Sequence, residues 1–472
     1  MSRQETDAEC LSAQRALEQE KSGVEEEAPQ DPNIVDFDGP NDPENPLNWS
    51  TTRKTTIVIV SLTALLSPIG STISAGAAAN IMQHFGTTDE ALGALMTTIY
   101  LLGFAFGPIL IAPLSELYGR AIMFRTCTFL FTVFNVACAA ANSFSSLVAY
   151  RLLAGIAGSC AGTLGASSIA DMIVREKRGT AMSAYVMGPV FGPTIGPIIG
   201  GYLTPAAGWR WNFWLIAIAS GVMTVLVILF LNESYPYAIL KKKTAKLRKS
   251  TGNQNLRSAL DTNKTPRQLF KFAILRPLKM LISPIVFLMS IHAATVFSYA
   301  YLCFTTFPRI FKDQYGFHSG ASGLTSIGLG WKNGGVVKSE YRLPILVVGA
   351  VFVPIGLFWY GWTAEYKVHW FVPIIGTTFT GIGIVIAYTT IATYLVDAYT
   401  VYSASVIAAS AILRCLLGAL LPLAGGAIFD ALGVGWGNSV LGFISLAFLP
   451  LPFILYMYGE RIRESRLFKM EL

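Results

Sequence analysis

The chain alternates between long apolar stretches and short polar connections. Eleven of the apolar stretches are close to the length of about 20 residues that a membrane-spanning helix requires. They lie near residues 55–80, 91–112, 122–141, 146–170, 180–204, 211–231, 281–306, 344–363, 370–395, 401–425 and 438–458. A further, shorter stretch lies at 317–330. The pattern predicts an all-α polytopic membrane protein with eleven clear spans and a truncated eighth.

The composition agrees with spans that face lipid rather than water. Hydrophobic residues make up 53% of the 472-residue chain and charged residues only 13%, whereas a soluble domain carries about 25% charged residues. This deficit argues against a soluble multidomain enzyme. The sequence also contains no metal-ligand cluster, nucleophile elbow or phosphate-binding loop. We therefore expect no enzyme activity, no catalytic residue, no metal and no cofactor.

Residues 1–52 differ from the rest of the chain because they are polar and acidic. They lack the basic and apolar regions of a signal peptide, which predicts a disordered cytoplasmic tail that stays attached. One of the six cysteines lies in this tail and five lie within spans. No disulfide framework is expected from that distribution.

Basic residues predict the orientation in the membrane. Twelve Lys and Arg residues lie between Lys241 and Lys279, and such clusters stay on the cytoplasmic side. The net charge of +7 is therefore concentrated in particular loops, and we expect no nucleic-acid partner. The basic stretch divides the chain into an N-terminal helix bundle, a basic cytoplasmic linker, a C-terminal helix bundle and a cytoplasmic C-terminus, at residues 53–235, 236–280, 281–460 and 461–472.

The two halves also resemble each other. "PIIGGYL" followed by "GWRWN" at 197–212 matches "PLAGGAI" followed by "GWGN" at 422–438. "SIADM" at 168–172 occupies the same place in its half as "YLVDA" at 394–398. Internal symmetry of this kind is typical of transporters built from repeats. It predicts two pseudo-symmetric six-helix bundles.

The loop between the second and third spans reads "APLSELYGRAIMF" and resembles the signature loop of the major facilitator superfamily. Glu116 holds the acidic position, Gly119 the glycine and Arg120 the first basic position of a gating loop. Ala112 and Ala121 depart from that pattern. Gly119 permits a tight turn, and an acid at a helix end can pair with an Arg across the loop.

Arg151 opens the stretch "RLLAGIAGSCAG" in the fourth span. An Arg at the bilayer centre costs at least about 2.5–3.5 kcal/mol, so it is kept only where it faces protein or water. In the resembling family this Arg takes part in proton coupling. The alternative is an Arg near a helix end that extends to the membrane interface. Asp171, Asp397 and Arg414 complete the residues that we assign to proton coupling or the substrate pathway, with Arg414 expected to pair within its own bundle.

The fifth span contains "GPVFGPTIGPIIGG", which resembles the motif of the antiporter branch of the family. Glycine at every fourth position leaves a groove where another helix can approach closely, and neighbouring helices can satisfy the backbone groups freed by proline. The proposed role is to seal one side of the pathway; the alternative is helix packing alone. The motif residues are Gly188, Pro189, Gly192, Pro193, Gly196, Pro197, Gly200 and Gly201.

Three further segments, "DPENPLNWS", "LNESYPYAILKKKTAKLRKSTG" and "YGWTAEYKVHW", resemble the fungal twelve-span drug:proton antiporter group. The resemblance implies a monomeric plasma-membrane exporter of a small organic molecule, such as a secondary metabolite, toxin or drug, driven by proton antiport, with both termini cytoplasmic. The alternatives are a polyamine exporter and a transport-deficient or sensor-like member. Because the spans offer few carboxylates, we favour a neutral or acidic substrate over a polyamine.

The eighth span is too short for a regular crossing. Only "ASGLTSIGLG" is apolar before "WKNGGVVKSEYRLP", about half the required length. Basic residues before the ninth span and at the C-terminus still require twelve crossings. The sequence therefore predicts a segment removed between Gly330 and Trp331, a degenerate member of the family, or a short re-entrant piece buried by its neighbours.

Overall fold

The computed structural model describes residues 33–39, 41–49, 56–87, 90–173, 178–261, 274–315, 343–399 and 403–464. These residues form two compact units. The smaller unit contains the described residues 33–39 and 240–261, and the larger unit contains all other described residues.

The smaller unit joins the N-terminal tail to the central linker. Strand β1 (Ile34–Val35) pairs in parallel with strand β2 (Arg257–Ser258). The Lys243 ammonium lies 2.9 Å from the Asp38 carboxylate. The expectation of disorder over residues 1–52 is therefore wrong for residues 33–39. Composition could not reveal this order, because the partner strand lies more than 200 residues further along the chain.

The N-terminal bundle of the larger unit contains a first span that is broken. Helix α1 (Thr56–Thr72) ends well before the predicted end of the span at residue 80, and a 3₁₀ turn (Ala75–Ala77) separates it from the short helix α2 (Ala78–His84). The other helices of this bundle are α3 (Glu90–Tyr118), α4 (Arg120–Ala139), α5 (Phe144–Met172), α6 (Arg178–Ala207) and α7 (Arg210–Phe230). Helix α1 packs on α6, α3 packs on α5, and α4 packs on both α5 and α7.

The C-terminal bundle follows the helix α8 (Pro236–Thr251) and the linker. Its helices are α9 (Pro284–Tyr315), α10 (Leu343–Glu365), α11 (Phe371–Ala398), α12 (Ser403–Ala447) and α13 (Pro450–Glu464). Helix α9 packs on α12, and α10 packs on α11 and α12. Gly433, at φ 76°, interrupts α12 and divides it into two helical segments.

Each of the eleven predicted spans lies on helix in the described part of the chain. Nine helices there are long and apolar enough to cross a membrane. The last of these, Ser405–Tyr458, has 54 residues and covers both predicted spans at 401–425 and 438–458. The predicted fifth span is α6, a helix of 30 residues. The short eighth stretch at 317–330 lies outside the described residues, so its truncation stays a prediction.

Candidate functional site

Arg151 of α5 is fully buried inside the N-terminal bundle, with 0% of the residue exposed. Its Nε donates to the Met96 carbonyl at 3.0 Å, and Nη1 donates to the Gly70 carbonyl at 2.7 Å. Nη2 donates to the Ser71 carbonyl at 2.8 Å and to the Ser74 hydroxyl at 3.0 Å. Arg151 therefore faces protein, and the alternative in which it extends to the membrane interface is wrong.

Three of these partners, Gly70, Ser71 and Ser74, lie at the break in the first span, and Met96 lies in α3. Because α1 ends at Thr72, the carbonyls of its last turn have no helical N–H from which to accept a hydrogen bond. Arg151 supplies donors to two of them, and the helix dipole favours a cation at this end. The Tyr100 ring centroid lies 4.8 Å from the guanidinium carbon. Since an Arg side chain stays protonated in proteins, any part that Arg151 takes in coupling depends on its charge and its partners.

The glycine face of α6 packs directly against the first span. A Cβ atom added at Gly188, Gly192, Gly196 or Gly200 would lie closer than 3.0 Å to an atom of that span; at Gly192 the neighbour is the Pro68 Cβ, at 2.7 Å. The predicted groove is therefore present, and the helix that occupies it is α1. Its proposed role as a seal stays a prediction.

One proline of the motif frees a backbone carbonyl that α1 then binds. Pro197 has no N–H to donate to the Pro193 carbonyl, four residues earlier in the helix. The Thr72 hydroxyl donates to this carbonyl instead, at 2.9 Å. A polar side chain of the neighbouring span thus replaces the lost helical hydrogen bond, as a proline inside a membrane helix requires.

The loop around Gly119 binds a carboxylate that the sequence did not single out. Gly119 has φ 97°, and a side chain there would overlap the Glu233 carboxylate. Glu233 accepts hydrogen bonds from the backbone N–H groups of Arg120 at 2.8 Å and Ala121 at 3.0 Å. These N–H groups open helix α4, where the helix dipole favours an anion. Glu233 therefore binds the turn at Gly119, and the role of Glu116 in the gating loop stays a prediction.

The Arg120 side chain contacts Asp171, so two of the predicted site residues lie together. Its Nε lies 3.5 Å from the Asp171 carboxylate, and its Nη1 donates to the Ser115 hydroxyl at 2.8 Å. The guanidinium carbon lies 4.8 Å from the Tyr235 ring centroid. Burial raises the pKa of Tyr235, and the nearby Glu116 carboxylate raises it further. The gating loop therefore joins the second, third and fourth spans with the segment that follows the sixth.

The C-terminal bundle contains a second site of the same design. Gly433 has φ 76°, and the Glu365 carboxylate accepts from the backbone N–H groups of Val434 at 2.8 Å and Gly435 at 3.1 Å. Glu233 and Glu365 each follow an apolar span and lie beside a glycine turn in another part of the chain. Nothing in the local sequence pairs each acid with its turn, which is why the sequence did not predict them.

Arg414 of α12 contacts two aromatic rings of its own bundle. Its guanidinium carbon lies 4.9 Å from the Phe297 ring centroid and 4.8 Å from the Tyr388 ring centroid. Its Nε makes no hydrogen bond with any described residue. Within the C-terminal bundle its partners are ring faces and the neutral side chains of Tyr388 and Cys415, not an opposite charge. The side chain of Asp397 lies outside what the structure describes, so its role stays a prediction.

The two bundles meet close to both arginines. The Ser71 and Tyr301 hydroxyl oxygens are 3.0 Å apart, and Leu101, Tyr301 and Ala419 form an apolar cluster. We call these four residues the inter-bundle seam. Ser71 also binds Arg151 through its carbonyl, and Ala419 lies five residues after Arg414. The seam therefore links the neighbourhoods of Arg151 and Arg414.

Comparison with known proteins gives the family. The family profile described as Major Facilitator Superfamily matches residues 60–422. The chain is similar to the MFS-type transporter penM of Penicillium rubens, with 51% identity over 95% of this chain and 93% of that protein. It is also similar to the efflux pump radE of Floropilus chiversii, with 41% identity over 94% of this chain and 88% of that protein.

Solved structures show the same fold at low sequence identity. The xylose transporter XylE from E. coli, in a partially occluded inward open conformation, has a TM-score of 0.62 and 16% identity, over 86% of this chain and 99% of that one. A bacterial homolog of the human lysosomal transporter Spinster has a TM-score of 0.59 and 14% identity, over 89% of this chain and 100% of that one. The family match, the relatives and the paired bundles agree: the chain belongs to the Major Facilitator Superfamily of membrane transporters.

Proposed function

We propose that this transporter exports a small organic molecule of the secondary-metabolite, toxin or drug kind from a fungal cell, driven by protons that move inward. The observation that carries the proposal is the glycine face of α6, which packs on α1 at the positions where its side chains are missing. This face carries the antiporter motif. The names of similar chains, which include an efflux pump, support the direction of transport.

The proposed inward proton path ends at the gating loop, which lies on the cytoplasmic side when both termini are cytoplasmic. Arg151 and Arg414 cannot release a proton at physiological pH, so the carriers are the carboxylates Asp171 and Asp397. Asp171 lies 3.5 Å from Arg120, and protonation of its carboxylate would remove that ion pair. Release of Arg120 would then loosen the loop that binds Glu233. Arg151 couples to the cycle by changing its carbonyl partners at the broken first span.

An efflux screen tests the export proposal. The chain is expressed, as a fusion with a fluorescent protein, in a yeast that lacks its own drug pumps, and cells are exposed to a panel of toxins, drugs and spermine. We expect fluorescence at the plasma membrane and resistance to at least one organic toxin that is lost when a protonophore removes the gradient. Resistance to spermine alone would favour the polyamine alternative. Plasma-membrane expression with no efflux of any compound would contradict the proposal.

The sequence of the transcript tests the alternative of an inactive member. The message is read across the codons for Gly330 and Trp331. We expect a longer exon that completes the eighth span. An uninterrupted message, together with measured export, would show that the truncated stretch is tolerated.

A further inference from the structure

Arg414 places a cation near the middle of the predicted membrane thickness. Helix α12 begins at Ser403, so Arg414 lies 11 residues, or about 16 Å, along the helix axis. The hydrocarbon core is about 30 Å thick. A charge at this depth is retained only where it faces protein, water or a partner.

Arg414 has no anionic partner among the described residues, and its Nε–H is unpaired. Two rings, Phe297 from α9 and Tyr388 from α11, lie within 5 Å of the guanidinium carbon. The polar side chains that interact with it, Tyr388 and Cys415, are both neutral. No Asp or Glu among the described residues forms an ion pair with it. Ring contacts stabilise a cation, but they do not neutralise it.

The face of α12 that carries Arg414 points toward the N-terminal bundle. Gly418, one turn further along, faces Phe297 at 3.2 Å and Leu101 of α3 at 3.8 Å, measured from a Cβ atom built on the glycine. Residues four apart share a face of a helix. Tyr185 of α6 also interacts electrostatically with Arg414. Arg414 as a whole residue is partly exposed, but its Nε is buried, as is the adjacent Cys415, so the unpaired donor lies within the protein.

We propose that Arg414 binds an anionic group of the transported molecule, a carboxylate or an enolate, with Phe297 and Tyr388 contacting the planar group that bears it. A guanidinium whose Nε–H is unpaired, and which has no carboxylate partner among the described residues, can bind a planar anion. This inference rests on the proposed function and narrows its substrate to organic acids with a planar or aromatic body.

Equilibrium binding with a matched pair of probes tests the site. The full-length chain is purified in detergent, and saturable binding of 2-naphthoate is measured against its neutral analogue 2-naphthamide. We expect naphthoate to bind the wild type at least tenfold more tightly than naphthamide. Arg414→Gln should weaken naphthoate binding by about tenfold or more, the size expected for a hydrogen bond to a charged group, and should leave naphthamide unchanged.

Further variants keep the result interpretable. Arg414→Lys should retain part of the affinity, because Lys keeps the charge but loses the fork geometry. Phe297→Leu should weaken the binding of naphthoate by about threefold, because it removes a ring contact. Lys249→Gln, at an exposed residue of the basic linker, removes the same charge elsewhere and should bind naphthoate like the wild type. Thermal unfolding and size-exclusion profiles show whether each variant folds. If Arg414→Gln does not fold, the naphthoate affinities of Arg414→Lys and Phe297→Leu are compared with the wild type instead.

The outcomes separate this site from export itself. The inference is overturned if the wild type shows no saturable naphthoate binding. It is also overturned if the wild type binds naphthamide as tightly as naphthoate, or if Arg414→Gln binds naphthoate as tightly as the wild type does. Binding is measured without a proton gradient, so a chain that binds naphthoate but exports nothing would contradict only the proposed function. Export of neutral compounds by a chain that does not bind naphthoate would contradict only the anion site.

Discussion

Arg151 and Arg414 occupy the two halves of the molecule, yet they differ in what surrounds them. Arg151 is fully buried; three hydrogen bonds join it to the broken first span and a fourth joins it to Met96 of the second span. Arg414 is partly exposed and lies between two rings, with no hydrogen bond at Nε. The comparison teaches that an arginine within a span can satisfy the protein's own backbone carbonyls or can lack an anionic partner, and only its contacts distinguish the two cases.

The largest expected effect is on stability: replacing Arg151 should lower the free energy of unfolding far more than replacing Arg414. Arg151→Ala leaves the buried carbonyls of Gly70 and Ser71 unsatisfied, so we expect the free energy of unfolding to fall by about 3 kcal/mol or more. Proton-driven export should be lost, with partial rescue by Arg151→Lys. Arg414→Ala should cost less than Arg151→Ala, because the partners that it leaves are the Tyr388 and Cys415 side chains and two ring faces rather than buried backbone carbonyls. Thermal unfolding in detergent and export in inside-out vesicles measure both. Full export by Arg151→Ala, with an unchanged free energy of unfolding, would contradict the proposed difference between the two arginines.

A smaller effect tests the helix contact that supports Arg151. In Gly196→Ala the new Cβ overlaps Thr72, whereas in Gly381→Ala it meets nothing within 4 Å. Overpacking a tight contact costs about 1–3 kcal/mol, so Gly196→Ala should lower export and thermal stability while membrane insertion is retained. Gly381→Ala serves as the matched control and should behave like the wild type. Equal behaviour of the two variants would mean that α6 does not depend on its close approach to α1.

The smallest expected effect compares the two carboxylates that bind a glycine turn. Glu233→Gln should destabilise the chain by about 1–2 kcal/mol, because it removes a charged acceptor from two backbone donors in a partly buried site. Glu365 is exposed, so Glu365→Gln should cost less than about 1 kcal/mol. Thermal unfolding at low salt measures the difference. A larger cost for Glu365→Gln would show that exposure does not set the strength of these sites.

Some of this arrangement could be predicted from the sequence. The spans follow from apolar runs of membrane length, and the close approach of α6 to another helix follows from glycine at every fourth position. The identity of that helix, α1, could not be predicted, because the periodicity describes only one surface of the contact. The break after Thr72 was also missed, since the carbonyls it frees are satisfied by Arg151 from a different span. Glu233 and Glu365 were missed for the same reason: each acts on a turn that is distant in the chain.

The strand pair in the smaller unit also has a consequence for synthesis. Ile34 pairs with Arg257, so the ribosome must translate the entire N-terminal bundle before β1 has a partner. At about 5–20 residues per second this delay is on the order of ten to forty seconds. During that interval the backbone groups of β1 have not yet met their partner strand. Closure of the pair therefore marks the moment when the first half of the nascent transporter has been completed.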